Sequence, residues 1–490
     1  MSSSAEPAAP SAAAVDSTPP VNRSKVVLAS LIGTTIEFYD FYIYATAAVA
    51  VFPVLFFTGE NDTAKLLASM ATFGAAFVAR PIGSVLFGHF GDRVGRKATL
   101  IGALLTMGIA TFLIGLLPTF YAIGIWAPLL LTILRFCQGL GLGGEWSGAA
   151  LLATEYAEEG KRGRAAMWPQ LGAPFGFILA NGFMLLLTMA MGFTSGAVDG
   201  LDHGFLAWGW RVPFLASIVM VAIGLYVRFA IAETPVFQQA LDAKQDVKSP
   251  LGEVFRTSWL QMIQGTFIML ATYVLFYLMT AWILSYGIGS PDAGMLGIPY
   301  RSFLVIQLIA VLLFAGMVPV SGWLADRFGR RSSLLVITAA IVGFGLIFGW
   351  FIAPENLGTG TEINIIRLLC FLALGMALMG LTFGSMSAVL PELFPTNVRY
   401  TGSGIAYNVA SILGAALTPF VAVWLTSRFG VSAVGMYLSL AAVITFIALW
   451  CSPETKDVDM RSVVLAEGLT GAGAGDGRPP RSCRTATGTR

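Results

Sequence analysis

Charge is scarce in this 490-residue chain: 11% of its residues are Asp, Glu, Lys or Arg, where a soluble globule carries about a quarter. A water-facing surface cannot be covered on that composition. The chain has two histidines, His89 and His203, and four cysteines, Cys137, Cys370, Cys451 and Cys483. None of them has metal-ligand spacing, and no nucleophile motif or phosphate-binding loop occurs, so an enzyme reading lacks support. The formal net charge of +2 gives no support to nucleic-acid binding. No cofactor is expected.

What the chain does have is apolar length. Hydrophobic residues make up 56% and glycines number 55. Apolar runs long enough to cross about 30 Å of hydrocarbon as helices fall at 26–52, 66–90, 98–118, 127–153, 165–190, 212–232, 259–287, 303–325, 333–353, 365–390, 401–426 and 433–451. The expected fold class is therefore all-α and polytopic, with twelve transmembrane helices. Residues 1–23, rich in Ala, Ser and Pro, read as a disordered tail and not a cleaved signal; residues 457–490, rich in Gly and Arg, read the same way. Lys and Arg are distributed unevenly between the loops. With the N-terminus inside, only Lys65, Arg211, Arg301 and Arg428 fall outside and Arg80, Arg135 and Arg367 fall within helices, which predicts both termini in the cytoplasm.

The charges that remain recur. The decapeptide "GHFGDRVGRK" at 88–97 returns as "GWLADRFGRR" at 322–331. Glu155 with Arg162 returns as Glu392 with Arg399, and Glu233-Thr234 as Glu454-Thr455. Three landmarks in one order imply a duplication: six-helix halves at 24–233 and 259–456 joined by a cytoplasmic linker at 234–258. Two such halves can expose a site between them to either side in turn.

The pattern G-x-x-x-D-R-x-G-R-[KR], matched at both decapeptides, resembles the loop motif of the major facilitator superfamily. "GTTIEFYDFYIYATAAVAVFP", "ARPIGSVLFGHFGDRVGRKATL", "RFCQGLGLGGEWSGAALLATEYA" and "LPELFPTNVRYTGSG" resemble the metabolite:proton symporter family within it. The resemblance covers about 24–456 and is nearest the shikimate-type branch of a family that also holds α-ketoglutarate, citrate and proline/betaine carriers. It implies secondary active transport by alternating access, with a proton as the coupling ion and a carrier functional as a monomer in the plasma membrane.

Candidate residues fall into two groups. For the cytoplasmic gate, Asp92 and Asp326 are expected near helix N-termini, where an anion is favoured. Arg93, Arg96 and Lys97, with Arg327 and Arg330 in the second copy, are expected to face carboxylates from neighbouring helices or lipid headgroups; Glu155, Arg162, Glu392 and Arg399 are the partners implied by the family pattern. For the central cavity, an ionisable residue inside the membrane costs at least ~2.5 kcal/mol unless paired or hydrated. At about 1.5 Å per residue, Glu37, Asp40, Arg80 and Glu145 share the midplane, with Tyr44 on the face of Glu37 and Asp40. Asp40 is the first choice for the proton, Glu37 its partner and Glu145 the next; a fixed ion pair of Arg80 with Asp40 or Glu37 is the structural alternative. Arg135 and Gln138 lie in a stretch resembling the superfamily's R-x-x-Q-G motif, and Arg367 is expected at the corresponding place in helix 10. Tyr277 and Asn408 complete the expected cavity; Gln170, Asn181, Tyr273 and Tyr407 are further ligand or packing candidates. The "LGAP" at 171–174 and the Pro419 region are expected to supply bends.

Three intramembrane arginines favour an organic acid as substrate. A proline/betaine-type zwitterion carrier is the alternative, although the C-terminal tail lacks the heptad pattern of osmosensing members. A receptor or channel is the reading of a different class; accumulation in proteoliposomes separates it from a carrier, since a receptor binds without accumulating.

Overall fold

The computed structural model describes residues 23–59, 61–94, 96–143, 154, 157, 160–194, 203–230, 250–395 and 398–456. Twelve long helices carry these residues: α1 Arg23–Ala50, α2 Asp62–Val94, α3 Arg96–Leu116 and α4 Trp126–Leu142; α5 Arg162–Ala190, α6 Phe205–Val227 and α7 Trp259–Ile288; α8 Tyr300–Phe328 and α9 Arg330–Ile352; α10 Ile365–Glu392 and α11 Arg399–Phe429; and α12 Val431–Trp450. There is no strand among the described residues. In hydrocarbon a backbone must satisfy its own polar groups, and a helix does so within one segment. The twelve predicted apolar runs correspond to these twelve helices. Of the expected linker, 234–249 lies outside the described residues and Pro250–Thr257 forms a short helix. The two expected tails also lie outside, apart from Arg23 at the start of α1.

The duplication seen in the motifs is repeated in the packing. In the first six helices α1 packs on α5, α2 on α4 and α3 on α6; in the second six α7 packs on α11, α8 on α10 and α9 on α12. The two sets meet along α5 with α8 and along α2 with α11. Close approach within the first set needs missing side chains. A Cβ on Gly139 of α4 would run into the backbone of Ala76 of α2, and one on Gly143 into that of Arg80. Helices that gain nothing from water exclusion pack by such small-residue contacts.

Several helices are interrupted where the two sets meet. α5 breaks at Leu171, in the "LGAP" stretch, and α10 breaks at Gly384-Ser385. α7 contains a π-turn at Leu278–Trp282 and α11 one at Ser411–Ala416, just before Pro419. Gln170, at the α5 break, donates to the Phe383 carbonyl at the α10 break, 2.8 Å away, so a carbonyl released by one interruption is satisfied from the other set. The outer faces present apolar side chains such as Leu186, Leu312, Val336 and Leu440, as lipid requires. α7 is the innermost helix, with 94% of its apolar window buried.

Candidate functional site

Two polar clusters sit inside the bundle, and each takes one acid of α1. Glu37, Asp40 and Tyr44 repeat at helical spacing on α1 and are 5%, 1% and 0% exposed. Arg80 of α2 and Arg135 of α4 are equally enclosed.

The first cluster lies within the first six helices. The Arg135 guanidinium stands over the Tyr44 ring at 4.0 Å and the Phe73 ring at 5.0 Å, an arrangement in which ring quadrupoles stabilise the cation. Its Nη1 donates to Gln138 Oε1 at 2.6 Å. Gln138 Nε2 donates to Thr111 Oγ1 at 2.6 Å, and Thr111 donates to Asp40 Oδ2 at 3.1 Å. Arg135 is also the cation that acts on Asp40. Tyr44 pairs its hydroxyl with that of Thr72 at 2.9 Å.

The second cluster joins the two sets of helices. Arg80 lies over the Phe77 ring at 4.7 Å and within electrostatic range of the phenols of Tyr277, Tyr407 and Tyr273 and of Glu37. Tyr273 and Tyr277 stack with centroids 6.1 Å apart, and Tyr277 meets Phe41, Phe73 and Phe77 edge-on. Asn408 of α11 reaches the Gly143 carbonyl of α4 at 3.5 Å. Asn181 instead accepts from Thr46 at 2.6 Å, within the first set.

The grouping differs from the sequence expectation in two ways, at Arg367 and at Thr111. Of the two acids left open for Arg80, Glu37 is the one that acts on it, while Arg135 acts on Asp40. Arg367 is absent from the centre. It lies in the first turn of α10, whose N-cap is Asn364, and donates to the carbonyls of Trp350 and Phe351 at the end of α9 and of Asn356 just beyond it with its guanidinium 4.4 Å from the Trp350 ring. Its sequence match to Arg135 failed because α10 starts only two residues before it whereas α4 starts nine before Arg135. Thr111 was not anticipated; a lone Thr in an apolar run carries no signal until a neighbouring helix supplies a carboxylate. Glu145 lies outside the described residues.

At the end of the bundle that carries the decapeptides, the second copy is fully visible. Asp326, near the end of α8, accepts the backbone N–H groups of Gly163 at 2.7 Å and Arg164 at 3.0 Å, which places a carboxylate at the N-terminus of α5. Arg330, nearly enclosed, bridges Asp326 at 3.3 Å and Glu392 at 3.2 Å. Glu392 also accepts from Thr455 Oγ1 at 2.8 Å, and Arg399 donates to the carbonyls of Pro391 and Phe394. Glu454, noted in sequence only as a repeat landmark, accepts the N–H groups of Arg330 and Arg331 at 2.7 and 3.1 Å and so caps α9. Arg327 faces outward over the Trp323 and Phe328 rings and takes no carboxylate among the described contacts, so Arg330 is the arginine of this copy that meets the gate carboxylates. Arg162, at the start of α5, lies within electrostatic range of Glu392. The side chains of Asp92, Arg93 and Arg96, and Glu155 altogether, lie outside the described residues.

Removing one partner of a buried ion pair strands the other. Arg330→Met is expected to destabilise the protein by about 3–5 kcal/mol, and Glu392→Gln by less because Arg330 retains Asp326. Unfolding of the purified variants in detergent measures both; equal midpoints for wild type and Arg330→Met would show that the pair does not stabilise the fold.

A bundle of twelve membrane-crossing helices, built as two sets with one packing scheme and holding buried charges where the sets meet, is a carrier of the major facilitator type and not an enzyme. Residues 25–464 match the family model described as "Sugar (and other) transporter", and the chain belongs to that family. It is 55% identical over 439 residues, 90% of this chain and 96% of the relative, to the inner membrane metabolite transport protein YhjE of Escherichia coli (strain K12). It is 36% identical to the shikimate transporter of the same strain, over 86% of this chain and 92% of that one. It is 34% identical to the strain's proline/betaine transporter, over 90% and 86% of the two chains. Among solved structures, the proton:xylose symporter XylE superposes with a TM-score of 0.65 over 90% of this chain and 98% of that one, at 17% identity. The protein is a multi-pass membrane transporter of the metabolite or sugar type.

Proposed function

We propose that this transporter is a proton symporter that takes up a small organic acid, working as a monomer with both termini in the cytoplasm. One observation carries the reading: two carboxylates of α1 are buried, Asp40 acted on by Arg135 within the first six helices and Glu37 acting on Arg80, which faces the tyrosines of the second six. A buried carboxylate's proton affinity depends on its access to water and on the charges around it, so drawing the tyrosines of the second set away from Arg80 hydrates the site and changes proton affinity as it opens. Arg80, with the hydroxyls of Tyr273, Tyr277 and Tyr407 around it, offers a substrate carboxylate a cation and several donors. The proton is assigned to Asp40 and the substrate side to Arg80 and its tyrosines.

The Asp326 contact with α5 closes the cytoplasmic face while the site is open to the outside. Loss of that contact on inward opening exposes the N-terminus of α5, which Asp326 caps again on return.

Similarity to a shikimate transporter supports the acid. Similarity to a proline/betaine transporter supports a second reading, a zwitterion, whose ammonium would lie against the tyrosine faces. Uptake of labelled shikimate, α-ketoglutarate, citrate, proline and betaine into proteoliposomes under an imposed proton gradient decides between them. Accumulation of an acid collapsed by a protonophore is the expected result; accumulation of betaine or proline alone selects the second reading, and accumulation insensitive to the gradient removes proton coupling.

A further inference from the structure

Thr111 holds three hydrogen-bonding groups with one proton of its own. Its oxygen lies 2.6 Å from Gln138 Nε2, 3.1 Å from Asp40 Oδ2 and 3.0 Å from the carbonyl of Met107 on its own helix. Arginine can only donate, so the Gln138 oxygen must face Arg135 and its amide nitrogen must face Thr111. Thr111 therefore accepts from Gln138, and its single hydroxyl proton goes either to Asp40 or to Met107. The two acceptors are equidistant within 0.1 Å.

We propose that Thr111 is the positioning residue of the proton site, a two-position hydroxyl that donates to Asp40 when the acid is charged and to the Met107 carbonyl when the acid carries its proton. In the charged state every bond of the chain Arg135, Gln138, Thr111, Asp40 points toward the carboxylate. In the protonated state the Asp40 O–H donates to Thr111, whose second lone pair is free for it, while Gln138 keeps its bond to the first. No heavy atom has to move. Gln138 and Arg135 thus stay in place through a change of charge on Asp40, which keeps Arg135 against the Tyr44 ring. The groups that act on Asp40 are few: Arg135 from α4, Tyr39 from its own helix, and Thr111 from α3. Asp40 Oδ1 and Arg135 Nε and Nη2 have no hydrogen-bond partner among the described residues, so Thr111 is the principal fixed contact of the acid. This role rests on Asp40 being the proton site.

Infrared difference spectroscopy of the full-length protein in lipid reads the acid without any substrate. Titration of the wild type should show a carboxylic acid C=O band that Asp40→Asn deletes. Thr111→Val, equal in shape but without the hydroxyl, should move that band to higher frequency because its hydrogen bond is lost, and should slow gradient-driven uptake of the acid found in the screen about tenfold, the loss of one hydrogen bond to a charged group. Thr111→Ser should restore both, which a packing role alone would not achieve. If Thr111→Val fails to fold, Thr111→Cys, with a weak donor of similar size, should show a smaller move in the same direction. A band in Thr111→Val or Thr111→Cys identical to wild type overturns the positioning role and leaves Asp40 as the proton site. No band assignable to Asp40 overturns both.

Discussion

Replacing Asp40 with asparagine is expected to abolish accumulation driven by a pH gradient while leaving counterflow of labelled substrate intact. Counterflow requires the loaded carrier to reorient but no net proton movement, so it survives the loss of a proton site whose ligand contacts remain. Asparagine keeps the size of the side chain and can accept the Thr111 hydrogen bond, which preserves the Arg135 chain. Glu37→Gln is expected to behave differently: Glu37 acts on Arg80, the group assigned to the substrate, and its loss should impair both activities. If both amides still concentrated substrate, α1 would not be the coupling site. If Asp40→Asn lost counterflow too, Asp40 would be holding the binding site and not the proton.

The second large effect concerns the decapeptide end. Gly322 opens the second motif copy and lies against Gly163 of α5 so closely that a Cβ on it would come 2.6 Å from the Gly163 carbonyl oxygen; a Cβ on Gly163 would meet Asp326 and the Gly322 carbonyl at 2.7 Å. Backbone atoms cannot move aside as a side-chain tip can. Gly322→Val is therefore expected to prevent this closure, hold the carrier open on that side and abolish uphill transport. Asp326→Asn should shift the balance the same way but by less, since the amide still offers one acceptor to the α5 N-terminus. A reporter cysteine at Ser387, buried on the Met386–Glu392 segment that packs against Arg162–Gln170, reads the change once Cys137, Cys370, Cys451 and Cys483 are replaced by alanine. It should resist a membrane-impermeant maleimide added to that face in the parent and react in Gly322→Val. Protection unchanged in both variants, with normal transport, removes the closing role of the Asp326 contact with α5.

Much of the site could be read along the chain. Glu37, Asp40 and Tyr44 share a face because helical spacing is a local property, and an acid within an apolar run is conspicuous by itself. The expected pairing of decapeptide arginines with a carboxylate from the tenth helix describes Arg330 and Glu392. Partner choice was not legible. Asp40 meets Thr111 at a separation of 71 residues and Asp326 meets Gly163 at 163, and nothing in either local sequence distinguishes these partners from their neighbours. Arg367 shows the opposite error: an offset shared with Arg135 suggested a shared depth, but depth depends on where the helix begins, and the Asn364 cap sets that for α10.

The sequence by itself determined the solvent, the number of crossing helices and the duplication, because hydrophobic length and repeated motifs are summed along the chain and need no partner. Only the tertiary structure decided which arginine each acid of α1 answers to, that a threonine of α3 stands between Asp40 and Gln138, and that the second motif closes on α5. Those contacts depend on which helix faces which at close backbone approach, and that is set by glycines such as Gly139, Gly143, Gly163 and Gly322 allowing particular pairs of helices to touch, a property of two surfaces at once that neither segment carries alone.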